Sequence, residues 1–333
     1  MKWNLQDPCE SPARRDPLVS APRSRSTDTS TLLGLQAFAG NQATWRLLAG
    51  VERPRAPDPS ARMLQLLAWS SPATAPALTF DHGFLDDGKG NIDNSKRRAP
   101  GVMDQVQLAK WRSKLYAAQV LRPDLGDATR AYEHFLDGGG ANLAVNYDNF
   151  LKEDNAGHTV LASAQEDAVA GAIDLDNGWR QAHPAERTQD RTFNMGSDAI
   201  GVGGSDGRYP YPNSENWAKA IGAHSMWVTA NVTVTVDPAA GTRSVWISLT
   251  LHMEDMYNFN PGAHDIATDI PDSDNGLFEI TGLGHEFKST GTAYYEVVKT
   301  DIPLDGAGAT GTPVAGYQPR GPVPQSDGRS DRD

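Results

Sequence analysis

The sequence predicts an α+β fold: a helical first half followed by an antiparallel β-rich second half, with disordered termini. Three observations predict it. Apolar residues recur at helical spacing between residues 104 and 173. They alternate between 226 and 253. Residues 1–30 are rich in Pro, Ser, Arg and Asp without periodicity, and the tail from 303 is rich in Gly and Pro. Helices followed by strands indicate α+β rather than alternating α/β, and there is no internal repeat.

The elements follow in chain order. In residues 31–49, Leu32, Leu35, Phe38, Trp45 and Leu48 fall at roughly helical spacing, with Asp28 or Thr29 as a cap. Gly40 and Asn41 in the middle imply two short helices or a kink. After a Pro-rich spacer at 53–59, a second apolar run extends from Met63 to Trp69 and stops before Pro72. Both segments are too short to be stable helices alone in water, so each must dock on the body or on a partner. Helices are expected over 104–120, ended by Pro123, and over 127–136, stopped by Gly138, Gly139 and Gly140. A third is expected over 142–152, and a fourth over 158–173, where Val160, Leu161, Ala164, Ala168, Val169 and Ala172 share a side. Residues 194–216, dense in Gly, Asp, Pro and Tyr, read as a long structured loop. Residues 226–236 and 245–253 form an antiparallel hairpin about the turn 237–241. Further strands are expected at 277–281 and 293–299. The domain reading is a flexible leader at 1–72 carrying a helical tag at 31–49, a body at 73–302 and a disordered tail at 303–333.

Composition excludes several classes. The chain has 333 residues and a net charge of −12, and residues 61–333 hold 22 basic and 36 acidic side chains. An acidic body repels nucleic-acid phosphates and anionic lipid surfaces. The triplet Lys96, Arg97 and Arg98 follows a Gly/Asp/Asn stretch and reads as a solvated turn. Cys9 is the only cysteine, which excludes intramolecular disulfides and Cys-based zinc sites. No stretch is long and apolar enough for a transmembrane segment. No apolar signal-peptide core stands at the N-terminus, so synthesis in the cytoplasm is expected, with release by a signal-independent route open.

The densest polar chemistry follows the hairpin. His252, Glu254, Asp255, Tyr257, Asn258, Asn260, His264 and Asp265 are followed by Asp269, Asp272, Asp274 and Gly276. A strand ending in acids and leading into a His-containing loop can build a polar site. The carboxylates of Asp255, Asp265, Asp269, Asp272 and Asp274 suit a hard cation such as Mg²⁺ or Ca²⁺. His264 suits proton transfer near neutral pH. The same residues also fit a loop of Asx turns and solvated acids. Asp272, Asp274 and Gly276 resemble half of a calcium loop but lack a third acidic position and a distal glutamate; the run from Asp86 to Asp93 is a weaker version. Gly201, Gly203 and Gly204 lack the strand–turn–helix context of a dinucleotide loop. His285 and Glu286, before the last strand, are placed to line the same face as His252.

Two resemblances add to this reading. Leu32, Leu35, Gln36, Ala39, Gly40, Asn41, Ala43, Leu47 and Leu48 follow the pattern L-x-x-L-Q-x-x-A-G-N-x-A-x-x-x-L-L. That pattern resembles an N-terminal motif of actinobacterial proteins associated with extracellular contractile injection systems. It implies a cargo or accessory protein whose residues 31–49 engage the particle. Second, Asp255-x-Tyr257-Asn258, with His264 after five more residues, is similar to the active-site signature of colicin M-like bacteriocins. Those enzymes cleave the phosphoester of a lipid-linked peptidoglycan precursor and depend on a divalent cation. By resemblance, Asp255, Tyr257 and His264 match. Asn258 stands where an Asp is expected, and Asp265 where the family has an Arg that would clamp phosphate. The resemblances imply a toxin-like effector with a hydrolase body acting on an envelope-precursor phosphoester. The alternative is a non-enzymatic binding or structural component of the particle.

Overall fold

A computed structural model describes residues 67–203, 209–262, 264–265 and 270–304. The 31–49 tag, most of the Met63–Trp69 run and the tail beyond 304 lie outside the described residues. No described helix is long and apolar enough to cross a membrane.

The expected hairpin is the centre of the fold. Strand β5 (His224–Asp237) pairs antiparallel with β6 (Thr242–Tyr257) in unbroken register from Ser225↔Glu254 to Asp237↔Thr242. On the other side of β6 lies β9 (Phe287–Pro303), with Tyr257 opposite Phe287 and Asp255 opposite Ser289. Shorter strands complete the sheet: β1 (Trp69–Ser70), β2 (Leu143–Val145), β3 (Arg191–Ser197) and β4 (Ile200–Val202). The order is β1-β3-β5-β6-β9-β2, with β4 also on β5. Every pair is antiparallel except β2 with β9.

Alternation makes the sheet two-faced. Val228, Val232, Val245, Ile247, Leu249 and Leu251 are buried and join Val160, Ala164, Ala168 and Ala172 in one core. Asn231, Thr233, Thr235 and Ser248 point to solvent from the opposite face. The core's helical side is α4 (Asn155–Ala182), begun by Asp154, whose carboxylate accepts from Ala156 N at 2.8 Å. Ahead of it come α1 (Val102–Leu121), α2 (Gly126–Asp137) and α3 (Tyr147–Glu153). Helix α5 is Glu215–Ala220 and α6 is Ser273–Thr281. Near the end of α4, buried Asp176 binds Arg180 at 2.7 Å and Arg243 at 2.5 Å, with Arg191 at 3.5 Å.

A second core joins the helices to the end of the sheet. Trp111 of α1, Tyr132 and Phe135 of α2, and Phe278 of α6 pack with Tyr257, Phe259 and Phe287. This aromatic core fixes the position of the polar stretch that follows β6.

Three expectations change. Residues 142–152 are not one helix: Leu143–Val145 add to the sheet as β2 before α3 begins. Residues 194–216 contain the end of β3, all of β4 and the start of α5; the turn-rich composition hides short strands whose Met195, Ile200 and Val202 enter the core. Residues 277–281 are helical rather than extended. Phe278, Glu279 and Thr281 are buried at helical spacing, and Gly282, with φ of 69°, terminates the helix. Leu283 N and Gly284 N then return to Phe278 O at 2.9 and 3.1 Å. The half calcium loop is the entry to this helix: Asp272 precedes it, Asp274 lies in its first turn, and a side chain at Gly276 would meet the Phe84 ring at 2.1 Å.

Candidate functional site

The end of β6 carries the quoted motif. Asp255 and Tyr257 fall on its core-facing side and are 4% and 3% exposed. The Tyr257 ring stacks on Phe287 with centroids 4.9 Å apart. Its hydroxyl is buried and has no hydrogen-bond partner among the described residues. Burial, then the carboxylates of Asp272 and Asp255, push its pKa well above the ordinary tyrosine value. The phenol therefore stays protonated, and it registers the charge of two acids from separate elements, β6 and the residue capping α6.

Asp272 is buried and tied to the backbone on both sides. Its carboxylate accepts from Asn260 N at 3.3 Å, and its carbonyl accepts from Asn275 N and Gly276 N at 3.0 and 2.8 Å. Asn260 Nδ2 is buried without a partner among the described residues. Asn258 donates through Nδ2 to Asp81 O at 3.0 Å and to Asp81 Oδ1 at 2.5 Å, which fastens segment 81–85 to the end of β6.

The other expected site residues are placed differently. His264 and Asp265 form a two-residue strand, β7 (His264–Asp265), opposite Pro271 and Ile270 of β8 (Ile270–Pro271). Their backbones alone are described, and Asp269 lies outside the described residues. Asp274 is half-buried, and its charge acts on Lys114 and Tyr132. No group of three or more His, Cys, Asp or Glu among the described residues is arranged to hold a metal ion. Asp272 and Asp255 are the two carboxylates whose charge adds to burial in raising the Tyr257 pKa. Two carboxylates suit Mg²⁺, which keeps several waters, better than Ca²⁺, which takes six to eight oxygen ligands.

Beside this cluster lies a hollow of about 380 Å³ lined by His82, Arg97, Glu279, His285, Glu286 and Lys288, among others. His82 Nδ1 and Glu286 Oε1 are 2.8 Å apart, and both side chains are largely buried. Glu279 links hollow and motif: its carboxylate accepts from Phe259 N at 3.0 Å and from Phe84 N at 3.3 Å. Burial raises the Glu279 pKa well above the usual carboxylate range, and Glu286 and Asp81 raise it further, against the two backbone bonds. Burial, then the nearby Arg97 charge, lowers the pKa of His285, whose Nδ1 is buried without a partner among the described residues. Lys288 pairs with Glu254 at 3.1 Å.

The hollow that His285 and Glu286 line also takes in Met256, which lies four residues along β6 on the face that carries His252, while the His252 ring itself stacks on Trp227 at 5.0 Å and bonds Thr229 Oγ1 at 2.8 Å. His82, Glu279 and Arg97 were not singled out as site residues. His82 sits in a turn with no periodic signal, and its partner Glu286 is 204 residues away. Arg97 belongs to the triplet read as a solvated turn, and it is exposed as that reading expects.

No protein-family model matches the chain, and no curated protein matches it. The chain has a weak structural likeness to two bacteriocins. One is PaeM, a colicin M-like bacteriocin produced by Pseudomonas aeruginosa, at 12% identity and a TM-score of 0.28, covering 53% of this chain and 51% of that one. The other is the bacteriocin syringacin M from Pseudomonas syringae pv. tomato DC3000, at 12% identity and a TM-score of 0.27, covering 52% of each chain. The chain thus spans about half the length of each.

Proposed function

We propose that this protein is a toxin-like hydrolase that cleaves a phosphoester in a cell-envelope precursor. The observation that carries the reading is the buried Tyr257 hydroxyl on the motif strand, which has no hydrogen-bond partner among the described residues and whose pKa the charges of Asp272 and Asp255 help to raise. A folded core rarely leaves such a donor unsatisfied without a use for it. In this reading the phenol donates to a substrate oxygen. Asp255 and Asp272 would hold a divalent cation, which would supply Lewis-acid stabilisation of charge on a phosphoryl oxygen. Tyr257 is buried among aromatic rings, and such low-dielectric surroundings strengthen each polar contact its hydroxyl makes. His264 and Asp265 come from the sequence motif and belong to the same proposal as proton carrier and additional ligand. Residues 31–49 would load the protein into a contractile injection particle, which would deliver it.

The test is Tyr257→Phe in the full chain. The ring keeps its packing, and the hydroxyl lost has no partner among the described residues, so stability is expected to stay level or rise by about 1 kcal/mol. Hydrolysis of a lipid-linked pyrophosphate precursor, assayed with Mg²⁺ and with a chelator, is expected to fall about 100-fold in the variant. Asp255→Asn should fall at least as far, and chelation should silence the wild type. Full activity in both variants would refute the assignment.

A further inference from the structure

We infer that the hollow between residues 82–97 and the start of β9 is a second binding site, shaped for a phosphate-type anion, with Arg97 and the His82 and His285 rings as its donors. The inference deepens the proposed function, on which it rests for the identity of the anion as the substrate's second phosphate.

The hollow has the volume of a small-ligand site and gathers groups from five separated parts of the chain: 82–97, 139–142, 256, 279 and 284–288. Its charges do not simply cancel. Lys288 is engaged by Glu254, and Glu286 by His82. Arg97 binds Asn94 Oδ1 at 3.1 Å through Nε, and no carboxylate among the described residues pairs with it. A guanidinium without a counter-charge among the described residues, in a chain of net charge −12, leaves its Nη1/Nη2 edge for an anion. Glu279 would oppose such an anion if ionised, but burial favours its neutral form.

The imidazoles complete the donor set. In the imidazolium form of His82, Nδ1–H donates to Glu286 and Nε2–H is the donor left for a ligand. Buried Nδ1 of His285 finds no acceptor. An unpaired lone pair costs less than an unpaired N–H, which favours the proton on Nε2 and makes that nitrogen a donor. Phosphate oxygens accept bonds from a guanidinium and from imidazole N–H groups alike.

The experiment titrates inorganic pyrophosphate, without metal, into the full chain and follows the ring protons of His82 and His285 by NMR. Saturable shifts at both rings are expected. Arg97→Ala, an exposed position, should weaken the apparent affinity about tenfold or more. Lys89→Ala, which removes an exposed charge that does not line the hollow, should change it less than about twofold. Absence of a saturable shift at both rings overturns the inference, as does equal weakening by the two variants. The readout needs no turnover, so it separates from the test of the proposed function. An inactive protein that binds pyrophosphate through Arg97 keeps the site and loses the hydrolase. An active one whose affinity ignores Arg97 keeps the hydrolase and loses the site.

Discussion

Glu279 shows how one residue can be held in an unusual state by its place in the fold. It is 1% exposed and receives two backbone N–H groups from segments far apart in sequence, yet burial raises its pKa. A carboxyl whose folded pKa exceeds its unfolded value binds more protons when folded. Its contribution is full below the ordinary value of 4.5 and is lost as pH rises through the folded value. Glu279→Gln removes the titration but keeps the shape. Denaturant unfolding at about pH 4 and pH 7 should therefore show the wild type losing stability relative to the variant at the higher pH. A flat or rising difference would mean that the carboxyl is ionised in the folded protein. Tyr257 poses the complementary case of a buried donor without an acceptor among the described residues, and Tyr257→Phe separates its role in folding from its role in chemistry. Of these residues, Tyr257 and Asp255 were visible in the sequence because a spaced motif marks them. Glu279 was not, because it lies in a five-residue run of mixed character, and its importance comes from contacts 20 and 195 residues away.

At the scale of elements, legibility followed the strength of the local pattern. The β5–β6 hairpin alternates over its whole length, and α1 and α2 have clear stops, so all three stand close to where the sequence put them. Helix α6 broke the rule. Leu277 to Thr281 is too short to display helical periodicity, and its β-branched and aromatic residues suit a strand equally well. The decision was made by tertiary packing of Phe278 in the aromatic core and by the left-handed turn at Gly282. Since a Cβ at Gly282 would meet nothing within 4 Å, Gly282→Ala should cost only the backbone penalty, about 1–2 kcal/mol, read as a lowered denaturation midpoint. A neutral result would show that α6 can end without the left-handed residue. Because Asp272 sits at the other end of this helix, its approach to Tyr257 was equally hidden from a reading of local pattern.

Across the whole molecule, the sheet and helices are locked at one end by aromatic rings and near the end of α4 by charge. Asp176 is fully buried among Arg180, Arg191 and Arg243, which arrive from α4, β3 and β6. Asp176→Asn would leave three guanidiniums without their common counter-charge, and a loss on the order of 3–5 kcal/mol is expected in chemical denaturation. A loss below about 1 kcal/mol would show that water reaches the cluster and screens it. The order of the strands carries a further consequence. The last strand, β9, lies inside the sheet between β6 and β2 rather than at an edge. Leu143 therefore waits for Ser289 before its ladder can form. A nascent chain cannot finish the sheet until residues near 303 have left the ribosome tunnel, and the floor of the hollow, which needs Glu279 and Glu286, is absent until nearly the same moment. Synthesis and assembly of the site are thereby separated in time, so a prematurely terminated chain should be inert as well as unfolded.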